Sequence, residues 1–156
     1  MKSFFRRFSD LGGPGLFQFA EACFFLTLAT AAVYFLPFRT YAPILGEQTN
    51  EKNFSIIPSP KYDLHLFMSA IRRGSRYLPF ECKCLVQALA ARGMLGLRKL
   101  PSTVHLGVAK DENGKLKAHA WVKVDEIFIT GRGGVHEYIE ITRFLSKPIS
   151  GHYYSG

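Results

Sequence analysis

Cys84 and His119 have the types and local settings that nucleophilic catalysis by a thiol requires. A thiol attacks a carbonyl only once ionised, and a helix amino terminus favours the thiolate through its unpaired N–H groups and its macrodipole. Cys84 opens the run CLVQALAARGML, in which Leu85, Ala88, Leu89, Ala91 and Leu95 recur at helical spacing, and Lys83 stands beside it. His119 sits in LKAHAWVKV between Ala118 and Ala120, so an imidazole there meets little bulk and can approach a neighbouring helix. Trp121 falls on the same strand face, where it would wall a site. Each residue also has an ordinary reading, a buried free cysteine and a structural strand histidine. Cys82 is a second candidate thiol, but it precedes the helix, and two residues of separation is awkward geometry for a bridge to Cys84.

The elements that must position these groups can be read from periodicity. Leu64, Phe67, Met68 and Ile71 predict a helix over about Lys61 to Tyr77, closed by Leu78-Pro79. The Cys84 helix runs to about Leu95, with Gly96 expected as its left-handed cap. Thr103 to Ala109, a turn at Asp111 to Gly114 and Leu116 to Val124 predict an antiparallel ribbon. A tight turn at Asp125-Glu126 leads to a third strand, Ile127 to Thr130, and Tyr138 to Phe144 is apolar enough for another. Gly131, Arg132, Gly133 and Gly134 carry no phosphate-binding pattern and read as a plain connection. Arg39 to Pro60, with EQTNEKN at its centre, reads as a flexible surface connection, and Pro148 to Gly156 as a loose tail. His65, His105, His136 and His152 read as surface or loop residues.

The run CLVQALAARGML followed by HLGVAKDENGKLKAHAWVKV resembles the transglutaminase-like cysteine peptidases of lasso peptide biosynthesis, the B-type proteins that remove the leader from a ribosomally made precursor. EACFFLTLATAAVYFLPFRTYAPILG is similar to the amino-terminal helical segment of the family's stand-alone members, so the likeness runs from about Glu21 to about Phe144. The resemblance implies an α+β, papain-like core: a catalytic-cysteine helix on a three- to four-stranded antiparallel sheet, with the apolar amino-terminal helix covering or extending the core. It implies Cys84 as nucleophile, His119 as general base, and no metal or cofactor. The partners it implies are a precursor leader peptide, a small leader-recognition protein and a lasso cyclase. Family members that carry an orienting aspartate place it on the strand after the histidine, where this chain has Thr130-Gly131. Asp125 lies about 20 Å along the ribbon from His119 at ~3.3 Å per residue, too far to help. Glu137 or Glu140 folding back, the Thr130 hydroxyl, or a backbone carbonyl remain as ways to hold the ring. Two alternatives stand beside the peptidase: a catalytically weak scaffold that docks precursor, recognition protein and cyclase, and an enzyme passing the acyl group to an amine.

The chain has 156 residues, enough for one compact domain with a real core. It divides into an apolar helix and connection (1–60), a peptidase core (61–147) and a tail (148–156). With 47% hydrophobic and 14% aromatic residues it is too rich for disorder. A net charge of +8 favours acidic partners, but the lysines and arginines are scattered without an aromatic-interleaved stripe, so nucleic acid is not expected. Three cysteines are too few for a secreted disulfide framework, and no Cys/His set has zinc spacing, so a reducing, cytoplasmic setting is expected. The apolar run from Leu16 to Phe38 is polar only at Gln18, Glu21, Thr27 and Thr30, predicting a helix that is buried, docked on a partner or membrane-associated. Pro37 should end it.

Overall fold

The computed structural model describes residues 12–49 and 63–146. The expected tail, and the centre of the expected surface connection, lie outside these residues. Four helices pack against one antiparallel sheet, the α+β architecture that the resemblance implies. In chain order the elements are α1 (Gly12–Phe35), α2 (Phe38–Leu45), β1 (Glu47–Thr49), α3 (Leu64–Tyr77), α4 (Cys84–Leu97), β2 (Thr103–Lys110), β3 (Leu116–Val124), β4 (Ile127–Thr130), a 3-10 turn (Val135–Glu137) and β5 (Ile139–Leu145). The sheet has five strands in the order β1-β5-β2-β3-β4. The expectation of three or four strands missed β1, and α2 with β1 replaces the first part of the expected flexible connection.

The β2–β3 ribbon pairs His105 with Trp121 and Gly107 with His119. Because side chains alternate, His105, Gly107, His119 and Trp121 share one face and Val104, Leu106, Ala120 and Val122 the other. The second set joins Val86, Ala88, Leu89, Met94 and Leu95 of α4 and Phe67 and Ile71 of α3 in the core. Asp111 fixes the hairpin, its carboxylate accepting from the N–H groups of Asn113 and Lys115.

Asp63 caps α3 by accepting from His65 N–H at 2.9 Å. Gly96 does not cap α4; the helix continues past it, and Lys99 takes the left-handed conformation at φ 54°. Lys99 N–H bonds Gly96 O and Leu100 N–H bonds Leu95 O, a Schellman closure that buries Leu100. Burying that leucine offsets a left-handed lysine.

Helix α1 is apolar nearly all round, and Thr27 and Thr30 satisfy their hydroxyls on the carbonyls four residues back. Its inner stripe, Ala22, Leu26 and Ala29, is buried against the domain. Glycines on both partners permit the approach: a Cβ on Gly74 would come 2.8 Å from Leu26, and one on Gly93 2.5 Å from the Phe25 ring. A bidentate pair, Glu21 to Arg98 at 2.6 and 2.7 Å, ties α1 to the end of α4. The outer stripe is exposed and carries Phe17, Phe24, Leu28, Tyr34 and Phe35. By length and composition this is one amino-terminal helix able to cross a membrane.

Candidate functional site

His119 Nε2 lies 2.8 Å from the carbonyl oxygen of Gly131. A carbonyl only accepts, so Nε2 carries the proton and, in the neutral ring, Nδ1 holds the lone pair. The ring is walled by Tyr138 at 4.9 Å and Trp121 at 5.9 Å between centroids. Gly131 reaches this position with φ +74°, and a Cβ there would sit 2.5 Å from Ala120 O and 2.7 Å from Trp121 Cβ. Only glycine brings a carbonyl to that point. The glycine segment read as a plain connection thus supplies the partner of the ring, the backbone carbonyl that is one of the options, and the two candidate acids do not: Glu137 pairs with Lys117 and Glu140 with Arg143.

Cys84 is the first residue of α4 and half-buried at the edge of the core. Lys83, at the N-cap, makes no side-chain cap bond, and the first turn of α4 holds no acidic residue. Lys83 itself is exposed, 3.9 Å from Glu81. Cys82 is buried, and burial pushes its thiol up, as it does that of Cys23. All three cysteines are free. The next turn is anchored by Gln87, whose side-chain amide donates to Cys82 O at 2.8 Å.

The chain leaves α4 and enters β2 within a few residues, and α4 packs against β3 and β4. The body of α4 packs on the Ala120, Val122 and Val124 face of β3, whereas Ala118 is exposed and the His119 ring, expected to approach a helix, lies on the opposite face. Among the described residues the structure joins His119 to Gly131, Trp121 and Tyr138, and no hydrogen bond joins it to Cys84.

A cavity of about 360 Å³ opens between α3, the first turns of α4 and the end of β4. Met68, Ser69, Arg72, Gln87, Thr130 and Arg132 line it, along with Gly131. It borders both halves of the candidate site, through Gln87 one turn beyond Cys84 and through Gly131 beside His119. The spacing patterns that expose Cys84 and His119 carry no signal for Gly131 or Tyr138, whose parts depend on tertiary placement.

His105, expected at the surface, is buried in β2 and stacks face to face on Trp121 at 5.4 Å. Its Nδ1 is 3.3 Å from Glu140 without the alignment of a hydrogen bond. Burial lowers its pKa more than Glu140 raises it. His65 and His136 are exposed, as read; His152 lies outside the described residues. No group of three or more His, Cys, Asp or Glu residues among the described residues could hold a metal ion.

No curated protein and no solved structure matches this chain. A family model does, across residues 28–143, a stretch that takes in the cysteine helix, the histidine strand and the Gly131 turn. With that match and the helix-on-antiparallel-sheet architecture, the chain belongs to the transglutaminase-like superfamily.

Proposed function

We propose that this protein is a cysteine peptidase that removes the leader from a ribosomally made precursor in lasso peptide biosynthesis, working with a separate leader-recognition protein and a cyclase in a reducing, cytoplasmic setting. One observation carries the reading: the Gly131 carbonyl holds His119 by Nε2 and leaves Nδ1 as a lone-pair base. That is the task of an orienting acid, done by the main chain.

In the reaction, the Cys84 thiol gives its proton to His119 Nδ1 as sulfur attacks the scissile carbonyl carbon. The oxyanion is held by the free N–H groups at the start of α4. Collapse breaks the C–N bond, His119 returns the proton to the leaving amine, and a thioester to the leader remains. Water, deprotonated by His119, then releases the leader as a carboxylic acid and restores the thiol. An amine in place of water would make the same thioester an acyl-transfer intermediate. The reaction needs Sγ and Nδ1 within hydrogen-bond reach once substrate is bound.

The test incubates the purified chain with a precursor and its recognition protein, comparing wild type with Cys84→Ala and His119→Ala. Leader release lost in both variants supports hydrolysis, and release untouched by either refutes it. A second reading, a scaffold docking the recognition protein and cyclase, is favoured by the exposed apolar stripe of α1. Under that reading Phe24→Glu abolishes complex formation while Cys84→Ala leaves maturation intact. Binding of the chain to vesicles in place of those proteins would assign the stripe to a membrane instead.

A further inference from the structure

The cavity between α3, α4 and β4 is built for an anion. Its wall holds Thr130, a residue only 8% exposed, whose hydroxyl has no hydrogen-bond partner. Thr130 pairs with Val122 across the β3–β4 ladder, so its side chain points to the helix-covered face where the cavity lies. A buried hydroxyl left unpaired costs free energy, and a ligand acceptor placed against it recovers that cost. At the rim stand Arg72 and Arg132, both exposed, and neither has a carboxylate partner among the described residues. Among the described residues no aspartate or glutamate lines the space, while Met68, Phe128 and Ile129 give it an apolar wall. At about 360 Å³ it has the size of a small ligand site.

We infer that this cavity is a subsite for an acidic side chain of the peptide substrate, a glutamate in or next to the residue at the scissile bond. Its methylenes lie on Met68 and Phe128, its carboxylate accepts from the Thr130 hydroxyl, and Arg72 and Arg132 flank the charge. The position relative to the bond follows from Gln87 and Gly131, which border the cavity on one side and the candidate catalytic groups on the other. The inference rests on the peptidase reading for the identity of the ligand as substrate, but the binding chemistry is independent of the thiol.

The experiment therefore separates the two. Binding is measured on the Cys84→Ala protein by the fluorescence of Trp121, the single tryptophan of the chain and a neighbour of Gly131. The probes are acetylated, amidated alanine tetrapeptides with Glu, Gln or Lys at one position. The Glu peptide is expected to bind at least about tenfold more tightly than the Gln peptide at low salt, with the preference shrinking as salt rises. Arg72→Ala, Arg132→Ala and Thr130→Val should each weaken the Glu peptide severalfold and leave the Gln peptide nearly unchanged. Arg132→Glu should turn the preference toward Lys. Equal binding of Glu and Gln peptides, or a Glu preference that survives both arginine substitutions, overturns the subsite. A Glu preference in a protein whose wild type never releases a leader keeps the subsite and overturns the peptidase.

Discussion

Replacing Gly131 by alanine tests the proposed mechanism at the point where it is most specific. A Cβ at this position would lie 2.5 Å from Ala120 O, and ordinary contact begins at 3.4 Å, so the loop must move by about 0.9 Å. If the Gly131 carbonyl retreats by that much, its 2.8 Å bond to His119 Nε2 opens to ~3.7 Å, past the range of a hydrogen bond. A left-handed alanine costs ~1–2 kcal/mol, and the crowding against backbone adds ~1–3 kcal/mol. At ~2–4 °C per kcal/mol, the sum of ~2–5 kcal/mol lowers Tm by roughly 4–20 °C. Freed of its anchor, the ring loses its tautomer and its aim, and a displacement near 1 Å costs about 10²-fold in rate. The assays are thermal unfolding, leader release well below the new Tm, and ¹⁵N shifts of the His119 ring, which report the Nε2–H tautomer in wild type and a mixture in the variant. Gly133→Ala is the control, since nothing lies within 4 Å of its Cβ and its φ is not positive. Leader release at the wild-type rate from a folded Gly131→Ala protein with a mixed tautomer would refute the role given to the carbonyl.

Iodoacetamide should alkylate Cys84 well before Cys82, whose thiol burial holds up, so Cys82→Ser keeps both rapid labelling and leader release; mass mapping that finds Cys82 labelled first contradicts the assignment. His105 stays neutral in the fold while the unfolded chain takes up a proton near 6.5. Its folded pKa is lowered, so its contribution is full above 6.5 and is lost as pH falls through the folded value. Urea midpoints should drop with falling pH below 6.5, and His105→Gln should flatten that slope; an unchanged slope defeats the argument. Arg98→Ala strands Glu21, whose side chain is 9% exposed, and should cost ~3–5 kcal/mol in urea unfolding while α1 becomes protease-sensitive; a loss under ~1 kcal/mol would mean the pair is inert.

The parts of this fold with a strong local period were legible before any coordinates. The β2–β3 hairpin has two strand-forming runs joined by an Asp-x-x-Gly turn, and the apolar stripes read on α3 and α4 fall on buried positions except at Met68 and Leu85, which are half-buried. The missed pieces have no local period to read. Helix α2 contains Pro43, which argues against a helix on propensity, yet burying Tyr41 and Leu45 holds its two turns in place. Strand β1 is three residues, Glu47 to Thr49, and exists because β5 offers it an edge. His105 looked solvated because its neighbours in sequence do not bury it; Trp121 across the ladder does.

The candidate site divides along the same line. Cys84 and His119 announce themselves by side-chain type at a helix start and on a strand, whereas Gly131 contributes a backbone oxygen that every residue possesses. Its identity matters only because its φ of +74° and the 2.5 Å approach to Ala120 O exclude anything larger, conditions set by the β3–β4 pairing. A neutral carbonyl in place of a carboxylate also changes the electrostatics of the pair. In the proposed mechanism it aims the imidazole but offers an imidazolium no full negative charge, so a thiolate–imidazolium pair would gain less from it than from an aspartate. The proposed mechanism then leans on the start of α4 to favour a thiolate, where the cap residue Lys83 makes no side-chain bond to the N–H groups and the first turn holds no acid.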